Sequence, residues 1–450
     1  MTLRIITGGR RDGPTNGLIV HGAAELVTMA GGVRVGASMN DPAALVAGDD
    51  PGGLALAAWD GRIIALGPWG AVESALDAAD LPLSQFTRLD ARRGTVTPGL
   101  IDPHTHLPFA GSRERELVLR QRGAGYLEIL AEGGGILSTV AATRAASFGE
   151  LVAHGRRWLH EMLSHGVTTI EAKSGYGLDV ETELRLLDVL RELDGEGPIE
   201  IVPTFLGAHA VPPEFRHRPD GTEAFVQHVI DEQLPAVAEQ GIARFCDVFC
   251  EEGVFSADQS RRVLQAGARL GLAPRLHADE LAPSGGAELA AELDAASADH
   301  LAVPSEAGVD ALAAAASAGR GVVATLLPAT TWFLMADHHA PARELIDRGV
   351  PVALGTDFNP GTSPTPNLPL VMTLACLALR LTPAEALAAV TINAAAALRL
   401  DDRIGSLEIG KSADLVVWGV PTATQIPYWP GAGLARVVVK RGRVVSERAI

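Results

Sequence analysis

Cysteine, tyrosine and lysine are scarce in this 450-residue chain: three cysteines, three tyrosines, and lysine only at positions 173, 411 and 440. An odd number of cysteines without regular spacing excludes a disulfide framework and fits a reducing compartment. Cys246 and Cys250 lie in one apolar stretch. A strand would hold them roughly 13 Å apart, so they read as buried core thiols and not as a metal-binding pair. Long apolar runs are also missing. The uncharged apolar stretch 321–336 contains Pro328 and is too short to span a bilayer. The opening Met1-Thr-Leu-Arg-Ile-Ile-Thr-Gly8 lacks the apolar core of a secretory signal. A soluble, cytoplasmic protein is the expectation. Positive charge is in short supply, with 37 Lys and Arg against 54 Asp and Glu, a net charge of -17. That balance argues against a nucleic-acid partner, which needs a basic patch, and against an anionic membrane. A small-molecule substrate remains open, since a local cation overrides global charge.

Apolar residues make up 47% of the chain, enough for a large core. The first ninety or so residues read as short strands and turns. Asp60-Gly61 between the apolar runs 54–59 and 62–66 predicts a tight hairpin. The Gly-, Ala- and Asp-rich segment 30–53 reads as a loose surface insertion. From Thr95 the texture changes. Apolar runs at 96–103, 167–173, 199–205, 243–250, 274–278, 297–301, 321–327 and 351–356 alternate with helical patterns. The helical patterns include 150–165, 180–193, 257–270, 285–293, 306–318 and 382–398. Eight such alternations predict an α/β fold, a (β/α)8 barrel. The tail returns to strands at 414–418 and 436–445, with Arg441-Gly442 at a turn. Segments 1–94 and 405–450 are therefore expected to pair into one small β-sandwich beside a catalytic barrel spanning 95–404.

Barrel active sites sit at the carboxyl ends of the strands, so the polar residues closing each run carry the chemistry. The first run ends in His104-Thr105-His106, and residues i and i+2 of a strand share one side. Others end in Glu171 and Lys173, in His209, in His277-Ala-Asp279-Glu280, in Asp299-His300, and in Asp357. A lone strand-end histidine is commonly structural, and a lone aspartate commonly caps a helix. Six strand ends converging with His, Glu and Asp are not accounted for that way. His104, His106, His277 and Asp357 supply nitrogen and oxygen donors without thiolate, a set suited to Zn²⁺ or iron with a position left for water. Asp357 is placed to take a proton while touching the metal, Glu280 to exchange protons with substrate, and His300 to stabilise an oxyanion.

Two segments, Pro98-Gly-Leu-Ile-Asp-Pro-His-Thr-His106 and Gly405-Ser-Leu-Glu-Ile-Gly-Lys-Ser-Ala-Asp-Leu-Val-Val417, resemble the opening and closing signatures of the amidohydrolase superfamily. Within it the chain resembles the imidazolonepropionase family of histidine degradation over nearly its whole length. The matching blocks are His106-Leu-Pro-Phe-Ala-Gly-Ser-Arg113, Gly133-Gly-Gly-Ile-Leu-Ser-Thr139, Glu171-Ala-Lys-Ser-Gly-Tyr-Gly177, Thr204-Phe-Leu-Gly-Ala-His209 and Asp357-Phe-Asn-Pro-Gly361. The resemblance implies hydrolysis of a cyclic amide, 4-imidazolone-5-propanoate, to N-formimidoyl-L-glutamate. It implies one Zn²⁺ or iron ion per subunit, with no carboxylated-lysine bridge at Lys173, and a homodimer. It also implies substrate contacts from Arg113, Tyr126, Tyr176, His209, Glu280, Asn359, Gly361 and Thr362. A deaminase of a nucleobase or guanidine-like ring shares the ligand pattern. A ligand-binding scaffold on a dead barrel would have lost ligands, and none is missing here.

Overall fold

The computed structural model describes residues 3–5, 17–47, 52–123 and 134–448. At its centre are eight strands: Leu100–Asp102, Val167–Lys173, Glu200–Ala208, Phe245–Cys250, Ala273–Ala278, Ser297–His300, Val323–Leu326 and Val352–Leu354. Each pairs in parallel with the next in chain order. The ends of the first and eighth are stitched together. Asp357 N–H donates to the His104 carbonyl and His106 N–H to the Phe358 carbonyl, both at 3.0 Å. The result is the expected (β/α)8 barrel. Its strands read as continuous apolar runs because helices cover their outer face.

Short polar side chains start the surrounding helices. Ser147, Ser256 and Thr382 form reciprocal capping boxes with Glu150, Gln259 and Glu385, opening Phe148–Ser164, Ala257–Arg269 and Pro383–Ala389. Asp179 caps Val180–Glu196 through the Thr182 N–H. The helical stretch read at 382–398 is in fact two helices, Pro383–Ala389 and Ile392–Ala397. Thr391 breaks it at φ -130° and ψ -97°, its hydroxyl donating to the Leu387 carbonyl at 2.6 Å. A β-branched residue bonding back to its own helix favours such a break.

The apolar run 96–103 is also divided. Thr95–Pro98 pairs antiparallel with Leu415–Trp418, away from the barrel, while Leu100–Asp102 is the first barrel strand. Gly99 makes the switch. Its N–H donates to the Asp414 carbonyl at 2.9 Å, and a Cβ there would collide with Thr168. The seven-stranded sheet containing Thr95–Pro98 takes strands from both ends of the chain and faces a four-stranded sheet made of residues 17–90. Leu18, Val20, Leu54 and Leu56 of one sheet meet Leu26, Val96, Leu415 and Val437 of the other in a shared core. Asp60-Gly61 and Arg441-Gly442 both form hairpin turns, with φ of +48°/+75° and +48°/+71°.

Segment 30–53 departs from expectation. Its described part is packed and not loose: Met39 is fully buried in the barrel's core cluster, and Asn393 holds the Arg34 backbone from both sides at 2.8 and 2.9 Å. Short apolar anchors in a Gly-rich stretch give no periodic signal. Cys246 and Cys250 are buried, as expected, and burial pushes the Cys250 thiol up to about 11. Among the described residues no helix is long and apolar enough to cross a membrane.

The sandwich is fastened to the base of the barrel by charge. Glu200, at the start of the third strand, pairs with Arg403, with Lys440 at 3.3 Å and with Arg441 at 3.4 Å. Burial alone would raise its pKa, but these three cations hold the carboxyl well below the usual range of about 4.5. A depressed carboxylate stabilises the fold above its unfolded pKa and loses that contribution as pH falls. Glu200→Gln should therefore destabilise by about 2–3 kcal/mol at pH 7. Melting curves should show the gap to the native protein narrowing steadily below pH 4.5; a gap independent of pH would refute the charge assignment.

Candidate metal centre

The carboxyl ends of the strands bring four of the expected donors face to face. His104 Nε2 lies 3.3 Å from His106 Nε2, which lies 3.2 Å from His277 Nε2. Asp357 Oδ1 sits 3.4 Å from His104 Nε2 and 3.1 Å from His106 Nε2. All four residues are buried. His104 and His106 reach one point because Thr105 between them is turned away, its hydroxyl donating to the Glu171 carbonyl at 2.7 Å.

The backs of the imidazoles are held by buried carboxylates. His104 Nδ1 meets Asp299 Oδ2 at 2.8 Å and His277 Nδ1 meets Asp247 Oδ1 at 3.1 Å. An N–H given to the rear leaves the Nε2 lone pair aimed forward, the arrangement in which a metal-binding histidine is held. Two buried cations keep those carboxylates charged. Lys173 Nζ donates to Glu171 and Asp247, each at 2.8 Å, and Arg275 Nη2 donates to Asp299 at 3.0 Å. Burial would lower the Lys173 pKa, yet Asp247 and Glu171 raise it above its ordinary value. A lysine held protonated is not a nucleophile toward carbon dioxide.

These residues fit a divalent metal ion. Donors around an ion at about 2.0–2.1 Å, in a tetrahedral shell, stand about 3.3 Å apart; His104, His106 and Asp357 place their donors 3.1 to 3.4 Å from one another, and His277 Nε2 lies 3.2 Å from His106 Nε2. Charge agrees. Burial pushes the His106 pKa down to about 3. At His104, burial and Lys173 lower the pKa, but Asp299 and Asp357 more than offset them and raise it to about 9. The surroundings thus demand positive charge at the mouth of His104, which a cation supplies.

A cavity of about 710 Å³ opens onto this cluster. Tyr176, His209, Glu280, His300, Asn359 and Thr362 line it, together with Arg113. Burial, then the charges of Asp357 and Glu251, raise the Glu280 pKa to about 8. Its Oε2 lies 3.6 Å from His300 Nε2. His209 stacks on His106 with ring centres 5.0 Å apart, and its Nδ1 donates to the Gly175 carbonyl at 2.9 Å. Asp357 Oδ2 accepts from the Thr330 hydroxyl at 2.6 Å.

Of the expected strand-eight contacts, Asn359 lines the cavity and Gly361 does not. The Asn359 amide is spent on its own loop: Oδ1 accepts from the N–H groups of Gly361 and Thr362 at 2.8 and 2.7 Å. Its Nδ2 donates to the Asp357 carbonyl at 2.7 Å. Gly361 is not on the cavity wall but behind Arg113, where a Cβ would collide with the guanidinium. Tyr126 and Gly133 lie outside the described residues.

Several supporting residues carry no sequence signal. Asp247 is a single carboxylate inside an apolar strand, Arg275 a single cation in another, and only folding brings their partners near. Glu183 accepts the N–H groups of Gly175, Gly177 and Leu178 at 2.8 to 2.9 Å, shaping the loop that carries Tyr176. Glu251 does the same for Glu280, Leu281 and Ala282 at 2.9 to 3.0 Å. Since Asp247 orients His277, Asp247→Asn should weaken metal binding about 10- to 100-fold, measured by metal content after equilibration with a chelator. Undiminished metal retention would show that Asp247 does not govern the ligand.

A family model described as the amidohydrolase family matches residues 109–446. The chain is 53% identical over 379 residues to the imidazolonepropionase of Alkaliphilus metalliredigens, covering 84% of this chain and 88% of that protein. Against the imidazolonepropionase of Geobacillus kaustophilus it is 51% identical over 433 residues, covering 95% and 97%. Among solved structures, 5-methylcytosine deaminase from Klebsiella pneumoniae superposes with a TM-score of 0.68 at 17% identity, covering 96% of this chain and 98% of that one. E. coli guanine deaminase gives 0.67 at 16% identity, covering 96% and 99%. Likeness at those identities is a likeness of fold. The chain belongs to the amidohydrolase family and, within it, to the imidazolonepropionases.

Proposed function

We propose that the cavity holds 4-imidazolone-5-propanoate and that the enzyme opens its ring to N-formimidoyl-L-glutamate, a step of histidine degradation. The single observation that carries this reading is the meeting of His104, His106, His277 and Asp357 beneath Glu280 and His300, in a chain about half identical to imidazolonepropionases. One Zn²⁺ or iron ion per subunit, held by His104, His106, His277 and Asp357, would act as Lewis acid toward water and the ring carbonyl.

The chain's own groups handle the protons. Water oxygen adds to the ring carbonyl carbon, and Asp357 takes the proton this water gives up. The Thr330 hydroxyl bonded to Oδ2 fixes the carboxylate plane so that Oδ1 stays on the donor cluster. His300 Nε2 is buried and without a protein partner within hydrogen-bond distance among the described residues, which leaves it to stabilise the oxyanion. Glu280, with its pKa raised to about 8, holds a proton at neutral pH. It supplies that proton to the ring nitrogen as the C–N bond breaks, and the carboxylic acid left on carbon gives up the remaining water proton to solvent. Arg113, Tyr176, His209, Asn359 and Thr362 position the substrate from the cavity wall, with Gly361 behind Arg113.

A cytoplasmic location is supported by the scarce, largely buried cysteines, and a homodimer by family resemblance. A deaminase on the same barrel would expel ammonia, so the two reactions separate cleanly in one assay. The metal-loaded protein should consume the imidazolone absorbance without releasing ammonia, and ammonia release would overturn the ring-opening reading. Asp357→Asn should slow turnover by about 10²- to 10⁴-fold. His300→Ala should lower kcat more than it lowers metal content; equal losses would make His300 a ligand.

A further inference from the structure

Side-chain hydrogen bonds hold several of the polar groups around the cavity. The Thr330 hydroxyl fixes Asp357, the Gly175 carbonyl fixes His209, and Asn359 is tied to Thr362 of its own loop. Glu280 is different. Its carboxyl makes no hydrogen bond to the protein among the described residues, and His300 Nε2 stands 3.6 Å away. A long side chain without a partner is aimed by its backbone. What holds the backbone of Glu280 therefore decides where its carboxyl reaches.

That backbone is held by Glu251, the residue after the fourth barrel strand, which is 1% exposed. Its Oε2 accepts the N–H groups of Glu280 and Leu281, both at 2.9 Å. Its Oε1 accepts the Ala282 N–H at 3.0 Å and the Ser284 hydroxyl at 2.7 Å. The clamp is itself anchored. The Glu251 N–H donates to the Phe255 carbonyl at 3.1 Å, and the Glu251 carbonyl accepts the Val254 N–H at 3.0 Å. Asp279 closes the far end of the same loop, its carboxylate accepting the N–H groups of Ser284, Gly286 and Ala287. Residues 280–282 are left to Glu251. An ionised acceptor binds such N–H groups more strongly than a neutral one does.

We propose that Glu251 is a positioning residue for the proton donor: by taking three successive N–H groups it fixes the backbone from which the Glu280 carboxyl reaches the leaving nitrogen. This rests on the reading of Glu280 as the acid of the ring opening, though the clamp itself does not. Glu251 is not on the cavity wall and acts only through its neighbour. Proton transfer depends on reach, and a misplacement of about 1 Å at the reacting atoms costs about 100-fold. Nothing in the sequence marks Glu251, because the pair Glu251-Glu252 after an apolar run reads as a solvated loop. Only the fold separates the two, burying Glu251 and leaving Glu252 exposed.

The test is a double-variant cycle on the metal-loaded enzyme. Glu251→Gln keeps the shape of the side chain but turns an N–H donor toward the N–H groups of the loop. It should lower kcat for 4-imidazolone-5-propanoate by about 10- to 100-fold, with KM within a few-fold and metal content unchanged. Glu280→Gln should lower kcat at least as far. Adding Glu251→Gln to it should bring no further loss, since a residue acting through another is silent once that one is gone. Amide exchange followed by mass spectrometry reads the clamp without turnover. Peptides covering 280–282 should exchange faster in Glu251→Gln, while those covering 175–178, held by Glu183, should not change. If Glu251→Gln does not fold, Ser284→Ala removes one donor from the clamp and carries the same cycle at a smaller loss. Unchanged exchange at 280–282, additive losses in the double variant, or a loss of metal equal to the loss of kcat would overturn the proposal. A native kcat in Glu280→Gln would refute the acid reading instead, and the exchange comparison would then decide whether Glu251 holds the loop.

Discussion

Five charged side chains buried under the imidazoles hold the rest of the site in place. Glu171, Asp247 and Asp299 would each be expelled from a barrel interior if left alone, since a buried, unpaired carboxylate is heavily penalised. Lys173 and Arg275 make them tolerable. The same carboxylates then accept the Nδ1–H of each imidazole, Asp299 from His104 and Asp247 from His277. The cations thus act at a distance. They keep acids ionised, the acids choose the histidine tautomers, and the tautomers leave lone pairs converging on one point. Replacing either cation with an apolar residue would preserve volume but remove the reason for the carboxylates to stay charged.

Above that layer the backbone itself is bent to purpose. His300, Leu301 and Asp357 take φ of +73°, +49° and +52°, a region where residues with a Cβ are uncommon. Each such residue stores about 1–3 kcal/mol, and the barrel sustains it because the strand before and the helix after are independently fixed. At Asp357 the N–H bond to the His104 carbonyl pins the turn, so closing the barrel and presenting the acid are one event. Asp279 follows the same pattern at φ +53°, with its carboxylate accepting three backbone N–H groups from the loop ahead.

Much of this was legible in the sequence, and the limits have a physical cause. The eight strands and their order follow from apolar runs of the right length, because a strand covered on both faces must be apolar throughout. His104, His106, His277, Glu280, His300 and Asp357 were visible because strand ends are where polarity returns. Asp247 and Arg275 were not. A single charge inside an apolar run means something only once its partner is known, and Asp247 meets Lys173 through a fold that sequence order does not display. Segment 30–53 failed for a related reason: its anchors, Met39 and the Arg34 backbone, pack on the barrel one at a time. The run 96–103 looked like one strand because its apolar character is continuous, though its halves serve different sheets.

That divided run explains how a sandwich made from both chain ends bears on the chemistry. Thr95–Pro98 is held by Leu415–Trp418, and Gly99 by the Asp414 carbonyl, one residue before Leu100 enters the barrel. Asp414 also accepts from Lys440 at 2.6 Å, and Lys440 reaches Glu200 at the base of the third strand. The register of the first barrel strand, and with it the position of His104 and His106, is therefore set by contacts made in the sandwich. A strand slipped by one residue would turn both imidazoles out of the cavity. Fixing that strand at its amino end, by pairing and by charge, gives the small sheet a part in metal binding although none of its described side chains is among the donors.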